Sequence, residues 1–227
     1  MILVYVSQRY KYCNLVIYMK YGLLVKKIHL IDKRYLTAEE IKSMCKEIGV
    51  EYLPGIKYLI SNGHLIRILK GFFYVKSLEE RSIGVSKANF FEALAKALEY
   101  KRAKWYFGFD TAIRLSNLTH EYFPIDYVVS DRIFRSKTVK ILGHKVKFIK
   151  LKKELFGFGV RSNNEINYSD PEKSILDIIH LRKHRGIEEA VIKNEIADIL
   201  KHANKKKLNS YAGHYSISVR DFVRRMS

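Results

Sequence analysis

The sequence predicts an α+β protein in two parts, an N-terminal winged helix-turn-helix followed by a mixed α/β domain. Three observations carry this. Residues 37–63 hold two helix patterns, each with its own start and stop signals. Residues 65–75 hold two short apolar runs about a Lys-Gly turn. Beyond residue 86, short strand-like runs alternate with longer amphipathic ones. At 227 residues, 48% of them hydrophobic, the chain can bury one large core or two small ones.

Residues 1–19 read as an N-terminal arm, with residues 2–6 as a strand or a loose extension. That run is too short for the apolar centre of a signal peptide, and no small-residue cleavage site follows it. Met19 stands just before the helical pattern and offers a second start beside Met1. The winged-helix domain is expected over residues 20–80. Leu23, Leu24, Ile28, Leu30 and Ile31 mark its first helix. Thr37 is an N-cap with Glu40 three residues on, a capping box. Ile41, Met44, Cys45 and Ile48 then recur at i, i+3, i+4 and i+7, and Gly49 stops the helix. Pro54 suits the first turn of the next helix, where its missing N–H costs nothing. Ile56, Leu59 and Ile60 give that helix its buried face, and Asn62-Gly63 ends it. Leu65–Leu69 and Phe72–Val75 form a hairpin with Lys70-Gly71 at its tip.

Helix, turn, helix and basic hairpin is the layout that lays a second helix in the DNA major groove and a wing on the flanking backbone. The same layout also serves protein–protein contact. Pro54, Gly55, Lys57, Tyr58 and Ser61 are expected on the face opposite Ile56, Leu59 and Ile60. Lys57, Tyr58 and Ser61 are the candidates for groove contacts, and Arg67 and Lys70 on the wing are the candidates for phosphate. A recognition helix with one Lys implies modest direct readout and a large backbone share of the affinity.

Lys76 to Lys87 is polar and reads as the boundary. An α/β domain is expected over residues 86–204. Ala88–Lys101 is amphipathic, and Trp105–Phe109 reads as a short strand or the way into a turn at Gly108. Asp110 is placed to cap a helix through Leu115. Ile125–Val129 is a buried strand, and Thr138–Leu142 and Lys145–Lys150 alternate about Gly143-His144 as a hairpin. Ile166–Tyr168 is a further strand. Asp170-Pro171-Glu172 starts a helix that carries Ile175, Leu176, Ile178, Ile179 and Leu181 inward and ends at Gly186. Another helix spans about Ile187 to Ala203. Residues 205–227 read as a basic tail, with Lys205, Lys206 and Lys207 at its start and a terminal helix over Val219–Met226.

The charge balance points to a polyanionic partner. There are 42 Lys and Arg against 23 Asp and Glu, a net charge of +19, and the pI is about 9.8. Both halves are basic, with 14 basic against 7 acidic residues through residue 85 and 28 against 16 beyond it. One glutamine, Gln8, among abundant Lys, Ile and Tyr suggests a thermophile. Cys13 and Cys45 have no metal-ligand spacing, which fits a reduced cytoplasm, no zinc and no other cofactor. No apolar run approaches the ~20 residues of a spanning helix, so no membrane partner is expected.

The order of motifs then becomes specific. Gly71-Phe72-Phe73-Tyr74 closes the wing, the run Tyr106 to Leu115 follows, and Ser169-Asp170-Pro171-Glu172-Lys173-Ser174-Ile175-Leu176-Asp177 comes later. Over most of residues 20–186 the chain resembles the AbiEi antitoxin family, transcriptional regulators of AbiE-type (type IV) toxin–antitoxin and antiviral defence systems. The resemblance implies a winged helix that binds and represses the operon's own promoter, and an α/β domain needed for antitoxicity. It implies as functional partner a nucleotidyltransferase-like toxin, with no stable complex between the two. Residues after 200 lie outside the resemblance.

Two other readings stand beside this one. Gly108 to Val129 carries a degenerate echo of a nucleotidyltransferase, whose paired strand carboxylates hold Mg²⁺ against a triphosphate. Here Asp126 occupies the second acid position and Pro124 the first, so no catalytic residue and no enzymatic activity are expected. Asp126 is expected as a surface or structural residue at a strand edge. His180 and His184 share a helix face, but Arg182, Lys183 and Arg185 crowd it, so no metal site is expected. The alternative to the repressor is therefore a nucleotidyltransferase-like enzyme or toxin, or an RNA-binding protein, since positive charge covers both halves. Residues 132–153 hold nine Lys and Arg and no acid. Lys145, Lys147 and Lys150 there, with Arg220 and Arg224 near the C-terminus, are candidates for non-specific nucleic-acid contact or else a solvated basic face.

Overall fold

The computed structural model describes residues 18–119 and 121–226; the arm expected over residues 2–6, Cys13 and His120 lie outside them. The described residues form a mixed helix-and-strand protein with two sheets. It divides between Asn89 and Phe90 into two compact units.

The first described element of the first unit is a helix over residues 18–30, α1. There follow β1 (Tyr35–Thr37), α2 (Ala38–Ile48), α3 (Tyr52–Ser61), β2 (Leu65–Leu69), β3 (Phe72–Val75) and α4 (Leu78–Ser82). The capping box at the start of α2 is formed from both sides. Thr37 Oγ1 accepts from Glu40 N at 3.2 Å, and Glu40 Oε2 accepts from Thr37 N at 2.7 Å. Gly49, at φ 71°, closes α2. Sequence pattern did not reveal β1, because three residues show no alternation and Thr37 is both its last residue and the cap of α2. It pairs antiparallel with β3, giving the sheet order β1-β3-β2.

Leu24, Ile28, Leu36, Ile41, Cys45, Ile56, Leu59, Leu65 and Phe73 fill the core of this unit. Gly55 lies in that core and not on the open face of α3. A Cβ there would meet Cys45 Sγ at 3.0 Å and Val50 Cγ1 at 3.3 Å, tight contacts that favour glycine where α3 closes on α2. The polar stretch read as a boundary contains α4. This helix is anchored by a carboxylate instead of an apolar face, which is why no hydrophobic period marks it. Glu80 is 2% exposed; it accepts from Tyr74 Oη at 2.8 Å and from Ser77 N at 2.7 Å.

The second unit comprises α5 (Phe90–Tyr100), β4 (Trp105–Phe107), α6 (Phe109–Leu115), β5 (Ile125–Ser130), β6 (Val139–Ile141), β7 (His144–Lys150), a 3₁₀ turn (Lys153–Phe156), β8 (Val160–Asn163), β9 (Ile166–Ser169), α7 (Pro171–His184), α8 (Glu189–Leu200), α9 (Lys205–Ala212) and α10 (Ile217–Met226). Its six strands run in the order β6-β7-β5-β4-β9-β8. The β4–β9 and β5–β7 pairs are parallel and the other pairs antiparallel. Alternation along β4, β5 and β7 sorts the two faces. Phe107, Asp126, Val128, Val146 and Phe148 share the side where Phe90 and Phe91 of α5 meet Phe107. Tyr106, Val129 and Ile149 share the other, packed with Ile175, Ile179, Ile196, Phe222 and Val223 of the later helices.

Two expectations are corrected here. The β6–β7 turn is Leu142-Gly143, not Gly143-His144. Ile141 pairs with His144, and the two loop residues have φ 48° and 87°, the left-handed pair that a tight hairpin needs. The terminal helix expected near the C-terminus forms as α10, but residues 205–226 are packed structure and not a basic tail. Leu208, Ala212, Tyr215, Val219, Phe222 and Val223 belong to the core of the second unit. The charge run Lys205–Lys207 hid this, because it occupies the exposed first turn of α9 while the apolar positions begin at Leu208.

Candidate nucleic-acid interface

In the first unit α3 turns Gly55, Ile56 and Leu59 inward. Leu53, Pro54, Lys57 and Ser61 are exposed. Leu53, Lys57 and Ser61 recur every four residues and so form one stripe along the helix. Lys57 pairs with no described carboxylate. Ser61 Oγ donates to Tyr58 O at 3.2 Å and accepts from Asn62 Nδ2 at 3.5 Å.

Tyr58 is placed differently from the expectation. Its ring stacks on Tyr21 of α1, with centroids 4.5 Å apart and planes 12° from parallel, and it packs against the core. It serves the α1–α3 contact. Behind it, His29 Nε2 and His64 Nδ1 lie 3.4 Å apart. Burial, then the charge of Arg81 and of His29, lowers His64 to about 4.

On the hairpin, Arg67 and Lys70 are exposed. The Arg67 guanidinium lies 5.7 Å from the centroid of the Phe73 ring, its partner across the ladder. The register shifts between Arg67 and Leu69, a bulge at buried Ile68 just before the Lys70-Gly71 tip.

In the second unit Lys145 and Lys147 share a face, as their spacing implied. Lys145 is exposed and stands directly across from exposed Lys140. Lys147 is half-buried and donates to Ser136 O. Lys150 has the parity of Val146 and Phe148, so it does not extend this patch. Arg224 is exposed and lies 3.7 Å from Asp221, while Arg220 is half-buried.

Asp126 is not at a strand edge. β5 lies between β7 and β4, and the residue is 4% exposed. Its carboxylate is bound by Arg114, and its Oδ2 lies 2.9 Å from His144 Nδ1. The Phe90 ring stacks on His144 at 3.9 Å. Asp110 does not cap α6; Gly108 is the N-cap and offers no side chain. His180 is half-buried against the edge of Tyr215, and His184 is exposed. Among the described residues no group of three or more His, Cys, Asp or Glu could hold a metal ion. No described helix is long and apolar enough to cross a membrane.

The run from Ser169 to Asp177 builds a buried polar centre. Asp170 caps α7, accepting from Lys173 N at 2.9 Å. Lys173 is 0% exposed; its Nζ lies 3.3 Å from Tyr215 Oη and 3.6 Å from Asp177 Oδ1. Tyr106 and Tyr215 both donate to Asp177, at 2.8 Å and 2.6 Å. The ammonium also lies 4.6 Å from the Phe158 ring centroid. Burial lowers the Lys173 pKa and Asp177 works against that shift; burial pushes both tyrosines well up. Gly159, at φ 65°, passes so near that a Cβ would meet Lys173 Cβ at 2.7 Å.

No family model matches the chain, and no curated protein matches it. Among solved structures, the crystal structure of the Rv2827c protein from Mycobacterium tuberculosis is similar, with a TM-score of 0.57 at 11% identity, covering 92% of this chain and 76% of that one. At that identity the likeness is one of fold.

Proposed function

We propose that the first unit is a winged helix-turn-helix and that the protein is a sequence-specific DNA-binding repressor. The observation that carries this is the exposed stripe of α3, Leu53, Lys57 and Ser61, on a helix that follows α2 across a short turn and precedes a hairpin tipped by Lys70. A helix exposed along one stripe can enter a major groove, and exposed cations on a hairpin can grip the flanking phosphates. The resemblance of the sequence to AbiEi antitoxins extends the reading: a cytoplasmic antitoxin of a type IV system that represses its own promoter and counters a nucleotidyltransferase-like toxin without a stable complex. We assign no catalytic step to the second unit. The carboxylate of Asp126 is taken up by Arg114 and His144, which argues for a structural part.

The test is fluorescence anisotropy with the full chain on duplexes from upstream of its own reading frame and on a scrambled duplex. The proposal expects affinity for one upstream duplex at least about a hundredfold above the scrambled one at physiological salt. Equal affinity for all duplexes overturns it. Structured RNA is the competing ligand, because exposed cations such as Lys140 and Lys145 lie on the second unit too. Displacement of the upstream duplex by structured RNA at equal concentration favours that second reading.

A further inference from the structure

A cleft of about 240 Å³ opens on the helix-covered side of the second unit's sheet, between the start of α6, β5, β7 and the end of α7. Side-chain alternation puts it on the opposite face of β5 from Asp126, so it is unrelated to the nucleotidyltransferase echo. Phe109, Ile125 and Leu181 supply apolar surface. Arg182 and Glu195 on its wall neutralise one another through two hydrogen bonds of 2.8 Å and 2.6 Å.

Three charged groups of the cleft are left over. Asp110 is half-buried, and its carboxylate accepts no hydrogen bond from any described residue. Burial and the charge of Glu195 raise its pKa, against the pull of Arg182. Lys147 spends one donor on Ser136 O and keeps two. Arg185 is exposed and pairs with no described carboxylate. The Tyr127 hydroxyl, beside them, likewise has no described partner. None of these polar atoms is sealed from solvent, so each keeps hydrogen-bonding capacity that a polar ligand in the cleft can take up.

We propose that this cleft binds a nucleoside monophosphate. Lys147 and Arg185 together carry two positive charges, and a phosphate monoester carries close to two negative ones at neutral pH. Guanidinium binds phosphate oxygens in pairs. The Asp110 carboxylate is open to donors, and ribose hydroxyls are donors that a carboxylate takes side by side. The Tyr127 ring packs against Phe109, with centroids 5.3 Å apart, and its remaining open surface on the cleft can meet a base. A free amino acid would satisfy Asp110 through its ammonium, but its single carboxylate would leave one cation unmet. The proposal does not rest on the DNA-binding reading of the first unit.

Calorimetry on the full chain tests it, without divalent cations, using AMP, GMP, CMP and UMP beside their nucleosides, inorganic phosphate and leucine. One monophosphate is expected to bind one site per chain about tenfold or more tighter than its nucleoside and than inorganic phosphate. Arg185→Ala, at an exposed position, is expected to weaken the monophosphate about tenfold and leave the nucleoside unchanged. Asp110→Asn keeps the shape and is expected to weaken monophosphate and nucleoside alike. The proposal is overturned if no monophosphate binds below about 5 mM, if both cleft variants bind like the parent, or if phosphate or leucine binds as tightly as every monophosphate.

Discussion

Lys207 Nζ lies 2.6 Å from Asp170 Oδ2, so the first turn of α9 is bolted to the N-cap of α7. The same ammonium lies 3.2 Å from Glu172 Oε2, and Asn204 N donates to Glu172 Oε1 at 2.8 Å. Asp170 and Glu172 are almost fully buried, so the cation from α9 and the backbone at its cap are what make their burial tolerable.

It follows that deletion after Ala203 does not merely trim positive charge. It strips Leu208, Tyr215, Phe222 and Val223 from the core and takes from the buried carboxylates of Asp170 and Glu172 the partners that Asn204 and Lys207 supply. We expect the truncated chain to lose cooperative unfolding of the second unit, read by near-UV circular dichroism during a urea titration. Lys207→Met should cost about 1–3 kcal/mol, discounted for the half-exposed ammonium. Burial alone would raise the Glu172 pKa, but the Asn204 N–H and Lys207 hold it below the usual carboxylate range. A lowered pKa contributes stability that is whole above the ordinary value of about 4.5 and is lost as pH falls through the lowered one. Lys207→Met should therefore flatten the acid limb of the stability curve. A truncated chain that melts like the parent sinks this account.

Lys173 and Asp177 make a second, stricter test. Breaking a buried pair by removing one partner costs about 3–5 kcal/mol, because the other charge is stranded. Lys173→Met and Asp177→Asn should each destabilise by about that much. The double variant should lose markedly less than the sum of the two. Additive losses in urea titrations would show that the two side chains do not act as a unit.

What the sequence revealed, and what it hid, follows from this chemistry. α2 and the β2–β3 hairpin were legible because local signals define them: the Thr37–Glu40 box, Gly49, and the Lys70-Gly71 turn. α4 and α9 were harder to read: α4 has a local Ser77–Glu80 capping box but no apolar period after it, and α9 opens on a charge run whose Lys207 is bound to Asp170 far along the chain, so composition alone reads such stretches as linker or tail. On α3, helical spacing separated Lys57 from Ile56 and Leu59. It could not show that Tyr58 is claimed by Tyr21 of another helix, nor that Gly55 lies buried close against Cys45 and Val50. The Asp110 cleft left no local signal, since its groups come from four separate elements.

His64 gives the first unit a pH dependence of known sign. Burial first, then Arg81 and His29, bring its pKa from 6.5 to about 4. Between those values the unfolded chain binds a proton that the folded chain refuses. Stability is thus full above about 6.5 and declines as pH falls toward about 4. We expect the first unit to lose about 1–3 kcal/mol between pH 7 and 4.5, measured by urea titration of the fluorescence of its tyrosines. His64→Gln should remove most of that slope. Its persistence in the variant would place the titrating group elsewhere.

Tyr58 and Lys57 are neighbours in sequence but should fail in different ways. Tyr58→Ala removes a ring stacked on Tyr21 and half-buried against the core. It should lower stability by about 2–4 kcal/mol, with DNA binding lost only as folding is lost. Lys57→Ala should leave the melting temperature within a degree or two, since surface changes cost about 0.5 kcal/mol or less. It should weaken the preferred duplex more than a scrambled one. Arg67→Ala and Lys70→Ala should weaken both duplexes equally. Equal losses for Lys57→Ala would remove α3 as the reading helix.

Lys140 and Lys145 stand directly opposite each other across the β6–β7 ladder. Like charges in that position are unfavourable by themselves, and a phosphate between them relieves the repulsion. This gives a test in which folding cannot mimic the effect. Lys140→Glu turns the repulsive pair into an attractive one, so the hairpin should gain about 0.2–1 kcal/mol. The same variant should bind every duplex more weakly and keep the preferred sequence. For each phosphate that is no longer neutralised, the log–log salt slope should become shallower by about 0.9. Adding Lys145→Glu should deepen the loss of affinity. Lys150→Glu should have a smaller effect, because Lys150 lies on the other face. Unchanged affinity and slope in the Lys140–Lys145 double variant would mean that this basic face is only solvated and that DNA touches the first unit alone. An altered sequence preference would mean that the second unit reads bases, and the division of labour between the units would have to be redrawn.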